Sequence, residues 1–209
     1  MIKVILCDDH AVVRRGIRDT IAEAVDIQVV GEAGSYPELR EQLRKTSCDV
    51  LVLDLNMPGR GGLEVLAALR EEGSPVKTLV VSMYPEDQYA IRCLRAGARG
   101  YLNKAGEPAE MIAAVRTVHQ GRKYVTPEVA QMLVDNLAAP ESEELHASLS
   151  ERELQTLTLI ASGKKLSDIA EELMLSPKTV SVYRARVLEK LHLANNAELT
   201  VYAIRNSLV

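Results

Sequence analysis

The sequence predicts a doubly wound α/β domain over residues 1–123, followed by an all-α domain of four helices that contains a helix-turn-helix over residues 148–209. Three observations carry this reading. In the first part, short apolar runs such as Val4-Ile5-Leu6-Cys7 and Val50-Leu51-Val52-Leu53 alternate with stretches of helical periodicity, the pattern of buried parallel strands and crossover helices. Residues 137–144 are acidic and contain Pro140, which suits a solvated connection. Beyond them, two short helical segments meet at the tight turn Leu175-Ser176.

The elements follow in order. Lys3 to Cys7 is a strand, and residues 11–25 make an amphipathic helix through Val12, Val13, Ile17, Ile21 and Val25. A second strand over 28–33 precedes a helix from Tyr36 to Lys45. Val50 to Leu53 is the third strand. The loop Asn56-Met57-Pro58-Gly59-Arg60-Gly61-Gly62 then leads to a helix from Leu63 to Glu72. A strand over 78–81, a helix from Glu86 to Arg95, a strand over 101–103 and a helix from Pro108 to His119 complete five βα units. Thr126-Pro127-Glu128 opens a short helix through Leu137, with a cap residue and Pro in the first turn. Residues 124–147 as a whole read as a linker.

In the last part, Ser150 stands three residues before Glu153, the spacing of a capping box. Its helix carries Leu154, Leu157, Ile160 and Ala161 on one face and stops at Gly163. A short helix spans 167–173. Pro177 opens the next, which runs to Leu191, and Asn195 starts a fourth that ends near Asn206.

Composition narrows the function classes. The chain has 209 residues, 47% of them hydrophobic and 26% charged, ordinary for a globular protein with room for a core. No apolar run approaches the roughly 18 residues of a membrane span, and the first residues enter a strand at once, which leaves no room for a signal peptide. A cytoplasmic protein with no membrane partner is expected. Cys7, Cys48 and Cys93 are odd in number and lack paired spacing, so they read as reduced thiols. With no Trp or Phe, stacking of single-stranded nucleic acid is disfavoured. Charge is uneven: residues 125–147 hold five acids and no base, whereas 148–209 hold eight bases and seven acids.

The polar residues that carry chemistry stand where apolar runs end. Asp8-Asp9 follow the first strand, Asp54 the third, Ser82 the fourth, and Lys104 the fifth. In a parallel sheet these positions share the rim beyond the carboxyl ends of the strands. Three acids, a hydroxyl and an ammonium on one rim suit a divalent cation and a phosphoryl group. Singly, each residue has a plainer reading: a helix cap for Asp8-Asp9, a turn for Asp54, a solvated lysine for Lys104, a half-buried strand residue for Tyr101.

Taken together, Asp8-Asp9, Asp54 before Leu-Asn-Met-Pro-Gly, Ser82 and Gly100-Tyr101-Leu102-Asn103-Lys104 resemble the receiver domain of bacterial two-component response regulators, from Ile2 to about Lys123. The resemblance implies Asp54 as phosphoacceptor and Mg²⁺ held by Asp8, Asp9, Asp54 and the backbone carbonyl of Asn56. It further implies that Ser82 and Lys104 contact the phosphoryl group, and that Ser82 and Tyr101 act as the switch, the ring turning inward on phosphorylation. Two positions depart from the common pattern. Ala105 replaces a proline associated with a cis peptide, and Met83 replaces a small residue, which bears on access to Asp54.

On the helix from Pro177, the residues Val180, Tyr183, Val187, Leu188 and Leu191 make an apolar stripe, while Lys178, Ser181, Val182, Ala185, Arg186 and Glu189 project the other way. No acid occurs between Glu172 and Glu189, as a helix entering a major groove requires. Leu149-Ser150-Glu151-Arg152-Glu153-Leu154, Ser167-Asp168-Ile169-Ala170-Glu171-Glu172-Leu173 and Ser176-Pro177-Lys178-Thr179-Val180 resemble the LuxR/FixJ (NarL-like) output domain. By that resemblance Lys178, Ser181, Val182 and Ala185 face bases, and Thr179, Tyr183, Arg184 and Arg186 face the backbone of double-stranded DNA. The implied protein is a transcriptional regulator rather than an enzyme. A sensor histidine kinase phosphorylates it, and it binds an inverted repeat as a homodimer. Regulation by protein contact without DNA, or a Mg²⁺-dependent phosphohydrolase, are the alternatives.

Overall fold

The computed structural model describes residues 1–57, 59–138, 145–206 and 208–209, the side chains of 135–138 and 147 excepted. The acidic stretch 139–144 and Pro58 lie outside the described residues. The chain divides into two compact units, Met1–Pro140 and Glu141–Val209.

The first unit alternates strand and helix: β1 Ile2–Cys7, α1 Ala11–Ala22, β2 Ile27–Ala33, α2 Tyr36–Lys45, β3 Val50–Leu53, α3 Gly62–Glu71, β4 Lys77–Ser82, α4 Glu86–Ala96, β5 Gly100–Asn103 and α5 Pro108–His119. The five strands are all parallel in the order β2-β1-β3-β4-β5. The chain winds outward from β1 to β2, then returns across β1 to β3. That reversal opens a crevice between the carboxyl ends of β1 and β3.

Side-chain alternation explains why the strands read as continuous apolar runs. Val4, Leu6, Val50, Val52, Leu79, Val81 and Leu102 pack with Ile21 of α1 and Met111, Ala114, Val115 and Val118 of α5. The intervening Ile5, Leu51, Leu53 and Val80 are as fully buried. Both faces are thus covered, as a parallel sheet requires. Each Val, Leu, Ile or Met among them contributes about 1.5–3 kcal/mol by leaving water.

Helix α1 is shorter than its periodicity predicts. It stops at Ala22 because Ile2 N–H is taken by the Asp26 carbonyl at 2.7 Å, which starts β2 at Ile27. Val25 therefore lies beyond the helix, 93% exposed, and Val12 in its first turn is 86% exposed. Neither belongs to the apolar face.

A further helix, α6 Pro127–Ala138, follows a single bridge of Tyr124 to Gly100 at the edge of β5. Thr126 Oγ1 is 2.5 Å from Glu86 Oε2, so the start of α6 is tied to the start of α4. Cys7, Cys48 and Cys93 are free thiols.

The second unit holds a 3₁₀ turn Leu145–Ser148 and the helices α7 Glu151–Ala161, α8 Leu166–Glu172, α9 Pro177–Lys190 and α10 Asn196–Arg205. The capping box forms: Ser150 N–H donates to Glu153 Oε2 at 2.8 Å, and Glu153 N–H donates to Ser150 Oγ at 3.4 Å. Lys190 Nζ, at 2.6 Å from the same Glu153 oxygen, ties the end of α9 to the start of α7. Leu154, Leu157, Ile169, Val180, Val187, Leu191 and Leu199 form the core. Of the predicted stripe on α9, Tyr183 and Leu188 are half-buried. The turn from α8 to α9 places Met174 at φ 54°, the left-handed conformation that ends helices.

Candidate functional site

The crevice at the β1/β3 reversal is where the acids sit. Pairing of Cys7 with Leu53 sets the two strand ends level, and Asp54 N–H donates to the Cys7 carbonyl at 2.8 Å. Asp8 and Asp54 thereby emerge side by side, each 3% exposed. Register across the other side of the sheet brings in the ammonium. Ser82 pairs with Asn103, and Lys104 N–H donates to the Ser82 carbonyl at 2.8 Å. Lys104 Nζ then lies 2.7 Å from Asp8 Oδ2 and 2.9 Å from Asp54 Oδ2.

The backbone behind Asp54 is held by close packing. A Cβ on Gly62 would lie 2.7 Å from the Asp54 carbonyl oxygen and from Leu55 Cα, so only glycine lets α3 begin there. Gly62 N–H donates to the Leu55 carbonyl at 2.9 Å. Beneath the acids, Cys7 Sγ meets Met57 Sδ at 3.3 Å. Burial, with Asp8 and Asp54 nearby, pushes the Cys7 thiol up to about 12, so it stays protonated at neutral pH.

Electrostatically the pocket is short of positive charge. Asp8, Asp9 and Asp54 face one ammonium, which leaves two net negative charges when all three are ionised. Asp8 Oδ2, Asp9 Oδ1 and Asp54 Oδ2 are fully buried and accept no well-formed hydrogen bond; Lys104 is the ionic partner of Asp8 and Asp54, and the His10 ring lies 2.8 Å from Asp9 Oδ1. Burial pushes the Asp54 carboxyl above the ordinary carboxylate range, and the Lys104 charge opposes this without cancelling it. A small divalent cation fits this donor set. One ligand atom from each of Asp8, Asp9, His10 and Asp54 lies within 4.8 Å of the others, close to the span of an octahedral shell.

Ser82 is fully buried at the end of β4 and accepts from Tyr84 N–H at 3.3 Å. Tyr101, on β5, is 1% exposed, and its hydroxyl donates to the Tyr84 carbonyl at 2.8 Å. The ring is thus already inward. Met83, beside Ser82, is 67% exposed. Peptide bonds of the described residues are all trans, Lys104–Ala105 included, and Ala105 N–H donates to Asn103 Oδ1 at 2.8 Å. Asn56 contributes its backbone N–H to the Asp54 carboxylate.

Two residues at this site were not singled out in the sequence. His10 directly follows the acid pair, and its Nδ1 is 2.8 Å from Asp9 Oδ1. Arg14 donates to Glu32 Oε2 at 2.9 Å and to the Asp8 carbonyl at 2.5 Å, which fixes the backbone of the pair. Adjacency to Asp8-Asp9 was the available signal for His10. For Arg14, nothing local distinguished it from a solvated helix arginine.

In the second unit, Lys178, Ser181, Val182, Ala185 and Arg186 are exposed on α9, while Thr179, Tyr183 and Arg184 are half-buried. Ser176 Oγ caps the helix by accepting from Thr179 N–H at 3.1 Å. Arg184 Nε donates to Asn196 Oδ1 at 2.5 Å, which braces it against α10.

Comparison with known proteins agrees with both halves. Residues 4–116 match the family described as response regulator receiver domain, and residues 147–203 match the bacterial regulatory proteins, luxR family. Over its full 209 residues the chain is 40% identical to the response regulator UvrY of Escherichia coli K12, covering 96% of it. It is also 40% identical to the response regulator GacA of Pseudomonas protegens, covering 98% of that protein. A structure of RcsB from Salmonella enterica serovar Typhimurium, bound to promoter rprA in the presence of phosphomimetic BeF3-, is similar with a TM-score of 0.62 and 27% identity, over 96% of this chain and 97% of that one. Among the described residues no helix is long and apolar enough to cross a membrane. The chain belongs to the response regulators of two-component systems, in which a receiver domain is joined to a LuxR-type helix-turn-helix domain that regulates transcription.

Proposed function

We propose that Asp54 accepts a phosphoryl group from a sensor histidine kinase or a small acyl phosphate, and that this controls binding of the chain, as a homodimer, to an inverted repeat in promoter DNA. The observation that carries the reading is the buried Asp54 carboxylate held 2.9 Å from Lys104 at the β1/β3 crevice, in a chain of this family. An oxygen of Asp54 attacks phosphorus while the P–N bond of the kinase phosphohistidine, or the P–O bond of an acyl phosphate, breaks. Lys104 turns from its carboxylates toward the phosphoryl oxygens, and Ser82 Oγ donates a hydrogen bond to the same group. Asp8, Asp9, Asp54 and the Asn56 carbonyl hold Mg²⁺, which when bound offsets the charge gathered there. Turnover is limited to acceptance of the group and its slow hydrolysis.

The domain limits that go with this reading are a receiver over 1–123, a connection over 124–147 and an output domain over 148–209. Ser82 and Tyr101 relay the change in charge to the receiver surface. On α9, Lys178, Ser181, Val182 and Ala185 face bases and Thr179, Tyr183, Arg184 and Arg186 the phosphates. The RcsB structure bound to promoter DNA supports this side of the reading. The setting is cytoplasmic, where kinase and DNA are both accessible.

Sequencing the genomic fragments retained by the purified chain, with and without Mg²⁺ plus an acyl phosphate, tests the whole scheme. Enrichment of inverted repeats only after phosphorylation is expected. Equal enrichment without phosphorylation, or by Asp54→Ala at the level of the phosphorylated chain, removes the switch.

A further inference from the structure

We infer that Arg14 is a positioning residue of the phosphoryl-acceptor site: by joining Glu32 of β2 to the Asp8 carbonyl, it holds Asp8 and Asp9 so that both carboxylates serve a single Mg²⁺. The inference rests on the reading of the acidic crevice as a Mg²⁺ site and adds what sets the affinity of that site.

Adjacent residues of a strand point to opposite faces, so an acid pair at a strand end ordinarily sends its two carboxylates apart. Here the chain leaves β1 at Asp8 and bends at Asp9, and ligand atoms of Asp8, Asp9 and Asp54 come within 4.8 Å of one another. The peptide unit between the two acids decides this. Asp8 N–H donates to the Ala33 carbonyl at 3.0 Å and His10 N–H to Asp8 Oδ1 at 2.8 Å, which hold the residue at its two ends. The bond from Arg14 Nη1 to the Asp8 carbonyl, at 2.5 Å, acts directly on the peptide that joins the acids. Arg14 is itself anchored, because its Nε donates to Glu32 Oε2 at 2.9 Å. Sheet register puts that anchor in place. A shift between Val4 and Ile5 pairs Val4 with Val29 but Leu6 with Glu32, so Glu32 faces α1 as Val29 does, although an odd number of positions separates them. Arg18 Nη1 donates to Glu32 Oε1 at 3.0 Å, so both carboxylate oxygens are engaged and the anchor does not swing. A planar guanidinium serves Glu32 and the carbonyl at once, which a single ammonium on a flexible stem does less well. Asp54 arrives from β3, outside this linkage. Arg14 therefore governs the acid pair and cation affinity rather than the attacking oxygen.

Calorimetric titration of the full chain with Mg²⁺, for wild type, Arg14→Met, Arg14→Lys and Glu32→Gln, tests this. Initial rates of phosphorylation by acetyl phosphate at graded Mg²⁺, read by Phos-tag electrophoresis, accompany it. In Arg14→Met the expected result is a fall of about tenfold or more in Mg²⁺ affinity, the usual effect of removing a residue that orients a metal ligand. The Mg²⁺ concentration for half-maximal rate should rise to match, while the rate at saturating Mg²⁺ changes far less. Arg14→Lys keeps one donor for the Asp8 carbonyl and should fall between wild type and Arg14→Met. Glu32→Gln should weaken Mg²⁺ binding in wild type but hardly at all in the Arg14→Met background, since its role passes through Arg14. Unchanged Mg²⁺ affinity in Arg14→Met, with a folded circular dichroism spectrum, overturns the role of Arg14 and leaves the Mg²⁺ site standing. If Arg14→Met does not fold, wild-type affinity in both Arg14→Lys and Glu32→Gln overturns it equally. Failure of Mg²⁺ to bind wild type overturns the cation site itself, and the inference with it.

Discussion

Lys104→Met removes the ammonium between Asp8 and Asp54 while keeping an apolar stem of similar length. At an effective permittivity of about 20, each contact, 2.7 Å and 2.9 Å long, is worth on the order of 6 kcal/mol of attraction before the cost of burying the charges is set against it. Breaking a buried pair by deleting one partner costs about 3–5 kcal/mol, because the charge left behind is uncompensated. Here two carboxylates are left, but Asp54 has a way out. Its carboxyl is already above the ordinary value of 3.8 through burial, and losing Lys104 raises it further. A loss of about 3 kcal/mol is therefore expected near neutral pH in EDTA, a fall in receiver midpoint of roughly 10 °C. A carboxyl raised in the folded state favours folding at low pH and opposes it as pH rises through the folded value, so the gap to wild type narrows on acidification. Saturating Mg²⁺ should also narrow it, by supplying the missing charge. Thermal and urea unfolding followed by circular dichroism measures both. A variant within about 0.5 kcal/mol of wild type in EDTA refutes the argument, since the ion pairs would then merely cancel their own desolvation.

Four further outcomes follow from the same geometry. Gly62→Ala forces a Cβ to 2.7 Å from the Asp54 carbonyl oxygen, so it should cost about 1–3 kcal/mol and slow phosphorylation by acetyl phosphate, read by Phos-tag electrophoresis. Burial opposes the charge on Glu153, but Lys190 and the Ser150 N–H hold its carboxyl below the usual 4.5. Its contribution is present above that pH and lost as pH falls through the lower folded value, and acid unfolding of wild type and Glu153→Gln should converge there. Ser176→Ala removes the cap of α9 and should lower the stability of the second unit by about 1 kcal/mol in urea unfolding. In the proposed dimer–DNA complex Arg186→Ala removes one phosphate contact per subunit, so the slope of log K against log salt should lessen by about 2 in an anisotropy titration.

Much of this was legible in the chain. Parallel strands buried on both faces must be continuous apolar runs, so Val50 to Leu53 and Thr78 to Val81 announced themselves, and a strand that ends in Asp54 or Ser82 gives the rim its chemistry. Capping is equally local, which is why Ser150 with Glu153, and Pro177 in the first turn of α9, marked their helices correctly. Periodicity misled at the ends of α1: it implied apolar contacts for Val12 and Val25, but Val12 is exposed in the first turn and Val25 lies in the turn into β2.

The sequence by itself determined which residues stand at strand ends and helix caps, because those depend on neighbours a few positions away. Only the tertiary structure decided the distances among them. The Asp8–Lys104 contact joins residues 96 positions apart through the register of β1, β3, β4 and β5, and no local pattern encodes such a register. The same is true of the inward ring of Tyr101, of Lys190 on Glu153, and of His10 turned toward the acids. Each is fixed by packing between elements that the chain brings together only when folded.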